Sequence, residues 1–171
     1  MRRLLLLRHA KAEPAGNGPD FDRALADRGC RNACSIGGFI AREGLAPAFA
    51  AVSPASRTVE TWKIMQPQLP SVEASIDPRL YGASEATLLS AVHSLPAKYK
   101  SAMLIGHNPG LARLALILAG NGGKREMRAM YEKFPTCAFA VLDFDIDHWK
   151  ETVPGGGTLK YFVTPKDLAE K

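Results

Sequence analysis

The sequence predicts an α/β fold with three layers, a mostly parallel central sheet covered by helices on both faces. Three observations carry this. Short apolar, β-leaning runs recur at Leu4–Leu7, Phe49–Val52, Ala102–Ile105, Ala138–Phe144 and Leu159–Val163. Longer stretches between most of them place apolar residues at helical spacing, and strands that alternate with helices assemble a parallel sheet through crossover connections. The first run is four leucines without alternation, which suits a strand buried on both faces.

Taken in order, the leucine run ends abruptly in Arg8 and His9. The stretch "DRALADRGCRNACSIGGFIAREG", residues 22–44, then reads as the first long helix, with Leu25, Cys34, Ile36, Phe39 and Ile40 on one face and Gly44 as its stop. After the second strand, "SRTVETWKIM" and "SEATLLSAVHSL" read as helices, as does "PGLARLALILAG" after the third. The last two strands follow each other through "DIDHWKETVPGGG" without a helix and are expected to form an edge pair. Glycine clusters at 120–123 and 155–157 read as short loops. There is no repeat, linker or composition break, so residues 1–171 are expected to form one domain.

Composition narrows the class. Apolar residues at 46% and charged residues at 23% are ordinary for a globular protein and exclude a disordered chain. A net charge of +5 suits an anionic ligand at least as well as nucleic acid, and no RNP-like or helix-turn-helix pattern supports the latter. The three cysteines, Cys30, Cys34 and Cys137, make no paired framework and point to reduced thiols. Arg8, His9 and Lys11 interrupt the N-terminal apolar run too early for a signal peptide, and no window is long enough to span a membrane. A cytoplasmic location and no membrane partner are expected. "GNGGKRE" lacks the spacing of a nucleotide-binding P-loop.

Three strand ends carry the chemistry. Arg8 and His9 follow the first, Ser53-Pro54 and then Arg57 the second, His107-Asn108-Pro109 the third. In an open parallel sheet these carboxyl ends share one edge, where ligand sites form. Ser53 and Asn108 are good N-cap residues, and each is followed by a proline suited to a first helical position, so two helix starts are expected to face the same point. Two arginines favour phosphate, which a guanidinium binds bidentately. They also repel a metal cation, so no metal or cofactor is expected. A neutral histidine can hold a phosphoryl group covalently while guanidiniums stabilise its equatorial oxygens. His93 and His148 lie apart and read as structural or solvated.

"RHA" after the first strand, "FDRALADRGCRNA", "SPASRTVET", "LIGHNPGL" and the closing "PGGGTLKYFVTP" together resemble the histidine phosphatase superfamily, whose fold is phosphoglycerate mutase-like. Length and Ala10 in place of the family's glycine most resemble its small SixA-type phosphohistidine phosphatases. The resemblance implies that His9 is the nucleophile, that Arg8 and Arg57 bind phosphoryl oxygens, and that His107 completes the pocket. Ser53, Lys11 and Asn108 are further contacts by the same resemblance, Asn108 being explicable also as a cap alone.

One departure matters. Many members carry a glutamate general acid in a Leu-x-Glu context, and here Leu80-Tyr81 is followed by Gly82. Glu85 is the nearby candidate, although it also reads as an N-terminal helix acid capped by Ser84. A site without a strong acid suits a P–N bond, because imidazole leaves far more easily than an alkoxide. The chain also lacks the insertions that roof the pocket in relatives acting on sugar phosphates. The expectation is therefore a metal-independent phosphohistidine phosphatase acting on a protein, such as a phosphorelay domain, and functioning as a monomer. A small-molecule phosphomonoesterase and a non-catalytic phosphate-binding module are the alternatives. Lys124, Arg125 and Arg128 form either a contact for an acidic partner or a solvated basic turn.

Overall fold

In the computed structural model, which describes residues 1–170, one seven-stranded sheet organises the chain. Its strands are β1 (Arg2–Arg8), β2 (Phe49–Val52), β3 (Glu73–Ile76), β4 (Ser101–Gly106), β5 (Ala119–Gly122), β6 (Phe139–Phe144) and β7 (Gly157–Val163), in the spatial order β3-β2-β4-β1-β6-β7-β5. Only β6 runs against the others: β1, β2, β3 and β4 pair in parallel, β6 is antiparallel to β1 and β7, and β5 is parallel to β7.

The leucine run lies at the centre of this sheet, between β4 and β6, and all four leucines are fully buried. Successive side chains on a strand point to opposite faces, so the run feeds two cores. Leu4 and Leu6 pack with Leu88 and Val92 of α3 (Glu85–His93) and with Leu111 and Leu114 of α4 (Gly110–Leu118). Leu5 and Leu7 pack with Ile36 and Ile40 of α1 (Asp27–Arg42) and with Trp62 and Met65 of α2 (Ser56–Met65). Each such leucine contributes roughly 1.5–3 kcal/mol of transfer free energy. At its amino end the strand is anchored by Arg2, whose guanidinium donates to the carbonyls of Ala97 and Tyr99 at 2.8 Å and lies over the Trp149 ring.

The five expected strands are all present, and the structure adds to them. β3 is exposed at every position and β5 reads AGNG, so neither shows an apolar run. Two helices also escape the pattern: α5 (Lys124–Glu132), which buries only Met130, and the five-residue α6 (Pro165–Ala169). β6 and β7 do pair antiparallel, but they are not the edge, because the glycine-rich segment expected as a loop forms β5 beside β7. The first helix begins at Asp27 rather than at residue 22. Leu25 instead bridges Ala12, and the Ala26 N–H donates to Lys11 O at 2.9 Å, closing the base of the loop that follows β1. Cys34 is exposed, off the buried face of α1.

Candidate active site

Sheet register sets the geometry. Arg8 stands opposite Gly106, and Val52 opposite Ile105, so His9, Ser53 and His107 leave the sheet at one level. The His9 N–H donates to Gly106 O at 3.1 Å and the Ser53 N–H to Ile105 O at 3.0 Å, extending the ladder by one rung. From the other side the Cys137 N–H donates to both Arg8 O and His9 O, at 3.1 and 2.9 Å, with Cys137 itself at φ 62°. The two histidine rings end 5.3 Å apart, both almost fully buried.

A cleft of about 260 Å³ opens here. Arg8, His9, Lys11, Arg57, His107 and Asn108 line it, together with Arg23 and Thr136, so six of the residues nominated from sequence meet. Ser53 is fully buried behind the wall, its hydroxyl 2.7 Å from His107 Nε2. Glu85 does not line the cleft: it opens α3, where the Ser84 hydroxyl caps the Thr87 N–H.

Each histidine is held neutral. Burial, with Arg57, Arg8 and Arg23 nearby, lowers the pKa of His9 to about 4. Its Nδ1–H donates to the Ala10 carbonyl at 2.7 Å, leaving a lone pair on Nε2, towards which Arg57 Nε–H points at 3.4 Å. Burial, then the proximity of His9 and Arg57, lowers His107 to about 3. The Ser53 hydroxyl and His107 Nε2 share a hydrogen bond of 2.7 Å, while the buried Nδ1 has no protein partner among the described residues.

The arginines differ. Arg8 donates through Nη1 to Phe134 O at 3.1 Å, while its buried Nε has no partner among the described residues. Arg57 is more firmly tied: Nη1 donates to Asp20 O at 2.8 Å and Nη2 to Asp20 Oδ2 at 3.0 Å. Asp20 also accepts from Arg23 at 3.1 Å and from the Tyr81 hydroxyl at 2.8 Å, and these donors hold its carboxyl well below the usual range. Tyr81 in turn lies edge-on to His107, ring centroids 5.5 Å apart.

The expected helix caps are corrected. Ala55, not Ser53, precedes α2, because the Ser53 hydroxyl is spent on His107. Asn108 is not the cap of α4 either: Pro109 holds that position after a cis bond, and the Asn108 amide donates to Phe134 O at 2.8 Å. Side chains rather than capped helix starts therefore supply the polar groups that line the cleft. Sequence reasoning missed Asp20, Arg23 and Tyr81 as neighbours of the cleft. Arg23 lay inside a quoted motif and Asp20 one residue before it, but Tyr81 meets Asp20 across 61 positions, a pairing no local pattern reveals.

Two arginines and two neutral histidines at the carboxyl edge of a mostly parallel sheet define a cleft for a compact oxyanion such as a phosphoryl group. The histidine phosphatase superfamily (branch 1) model matches residues 4–86. An uncharacterised Mycobacterium tuberculosis protein, Rv1276c, is 35% identical over 164 residues, covering 94% of this chain and 100% of its own length. The crystal structure of a candidate phosphohistidine phosphatase SixA from Agrobacterium tumefaciens is similar at TM-score 0.81 and 30% identity, over 96% of this chain and 98% of that one. A protein histidine phosphatase SixA complexed with tungstate shares the fold at TM-score 0.77 and 21% identity, over 97% and 99%. The chain belongs to the histidine phosphatase superfamily, and this membership supports a phosphatase activity.

Proposed function

We propose that the protein is a metal-independent phosphohistidine phosphatase that acts on a phosphorylated protein through a phosphorylated His9. The observation that carries this reading is the state of His9: neutral, with Nδ1–H fixed on Ala10 O and the Nε2 lone pair turned towards Arg57 Nε–H at 3.4 Å, a donor that passes to a phosphoryl oxygen as Nε2 meets phosphorus. Nε2 forms a bond to phosphorus as the substrate's P–N bond breaks, and the substrate imidazole leaves with the electron pair and takes a proton from solvent. Water then attacks the phosphoryl-His9 and releases orthophosphate, restoring neutral His9. Arg8 and Arg57 bind the equatorial oxygens, and the His107 ring borders them. Lys11 and Asn108 border the same space, and Ser53 holds the His107 ring by its hydrogen bond to Nε2.

The leaving group follows from the acids. Among the described residues no carboxyl group lines the cleft, and Asp20, the carboxylate tied to Arg57, is held ionised. A site so arranged has no ready proton for an alkoxide, which favours imidazole or another good leaving group over an alkyl phosphate. The SixA likeness adds the protein-borne substrate class to this reading. The test is incubation with a phosphohistidine protein, p-nitrophenyl phosphate and an alkyl phosphate, with and without chelator. Turnover that survives chelation, and acid-labile phosphate trapped on wild type but not on His9→Ala, is the expected outcome. Trapping that persists in His9→Ala removes His9 as nucleophile.

A further inference from the structure

Arg57 is nine-tenths buried, yet both ends of its terminal edge are taken by one half-exposed residue, Asp20. The carboxylate of Asp20 is itself fixed from two other segments, by Tyr81 after β3 and by Arg23. Arg23 is anchored through its Nε to Glu13 O at 2.9 Å, across the loop closed by the Ala12–Leu25 bridge. A guanidinium has two edges that can grip an oxyanion, a terminal one (Nη1, Nη2) and a side one (Nε, Nη2). With the terminal edge on Asp20, the side edge faces His9, because Nε–H points at the Nε2 lone pair.

We propose that Asp20, seconded by Tyr81, is a positioning residue that clamps the terminal edge of Arg57 and so presents its side edge to the phosphoryl oxygens beside His9. Asp20 acts through Arg57 and touches no substrate. The proposal rests on the assignment of Arg57 to the phosphoryl group above. Two rival roles make opposite predictions. A carboxylate that merely competes with phosphate for Arg57 would, once removed, strengthen anion binding. A carboxyl that served as proton donor would matter most for poor leaving groups.

The experiment compares wild type with Asp20→Ala, Asp20→Asn, Tyr81→Phe, Arg57→Lys and the double variant Asp20→Ala/Arg57→Lys. Asp20 opens a short exposed 3-10 helix, Asp20–Asp22, and thermal melts check that each variant is folded. For Asp20→Ala, kcat/KM on p-nitrophenyl phosphate is expected to fall about tenfold to a hundredfold, the scale of a misplaced catalytic group. The same factor is expected with a poorer leaving group. Tyr81→Phe moves in the same direction by less, and Asp20→Asn, which keeps an acceptor for Nη2, retains more activity than alanine. In the Arg57→Lys background the Asp20 effect shrinks to near unity, the non-additivity that marks action through one shared partner. Orthophosphate binding by calorimetry weakens in Asp20→Ala, a readout independent of turnover. Tighter orthophosphate binding, full additivity with Arg57→Lys, or a loss that grows with leaving-group basicity overturns the proposal. A wild type that binds orthophosphate but never traps phosphate on His9 sinks the proposed function alone.

Discussion

At the scale of single residues, the cleft is cationic while its two imidazoles are not. Histidine ordinarily titrates near 6.5, and here guanidinium neighbours and burial both oppose a further positive charge. His9, the proposed nucleophile, is consequently neutral throughout the neutral range without a partner base. In a pH titration followed by NMR of the ring nitrogens, the His9 and His107 signals should show no protonation step between pH 8 and 5. A step near 6.5 assigned to His9 would refute this account. These residues were also the most legible part of the sequence. Arg8, His9, Arg57 and His107 all follow apolar runs short enough to be recognised as strands, and strand ends predict position. Asp20 and Tyr81 were illegible because nothing in a tyrosine after a turn says which loop it meets.

At the scale of elements, close backbone approaches hold the histidine loops in place. Gly110 opens α4 just beyond His107, and the Leu111 N–H donates to His107 O at 3.0 Å. A Cβ on Gly110 would stand 2.1 Å from Ala83 O, in the loop that carries Tyr81 towards α3. Gly110→Ala must push these two segments apart. It is expected to destabilise the fold by about 1–3 kcal/mol, as overpacking does, and to lower kcat about tenfold by shifting His107. Denaturant melts and steady-state kinetics measure both; a fully active, fully stable variant would show that the loops do not depend on this contact. The elements missed from the sequence share a cause. β3, β5 and α5 bury little or nothing, so tertiary pairing rather than apolar pattern defines them.

At the scale of the whole molecule, the buried neutral histidines link stability to pH. Their folded pKa values, about 4 and about 3, lie below the ordinary value that the unfolded chain recovers. Between pH 6.5 and about 4 the unfolded state therefore binds more protons, and stability falls as pH falls through that window. At pH 5 the loss relative to pH 7 is about 2 kcal/mol for each histidine. Asp20 adds nothing there, since it is ionised in both states. Urea melts at pH 7 and pH 5 should show the decline, and His107→Asn should lose about half of it; a pH-independent midpoint would contradict the burial assigned to both rings. The layered α/β plan was readable because a two-sided sheet leaves apolar runs in the chain. Strand order was not, since nothing local announces that a glycine-rich segment after α4 returns to pair outside β7.

The residue that latches the backbone behind His9 is a cysteine, and its chemistry differs from its neighbours'. Burial pushes the Cys137 thiol up to about 12, and no solvent reaches it. Peroxides and alkylating agents attack thiolates, so they find no nucleophilic sulfur beside this cleft, while Cys34, exposed on α1, remains open to them. The proposed imidazole nucleophile, with the Cys137 sulfur behind it kept protonated and out of reach, does not share the oxidant sensitivity of enzymes whose nucleophile is a cysteine.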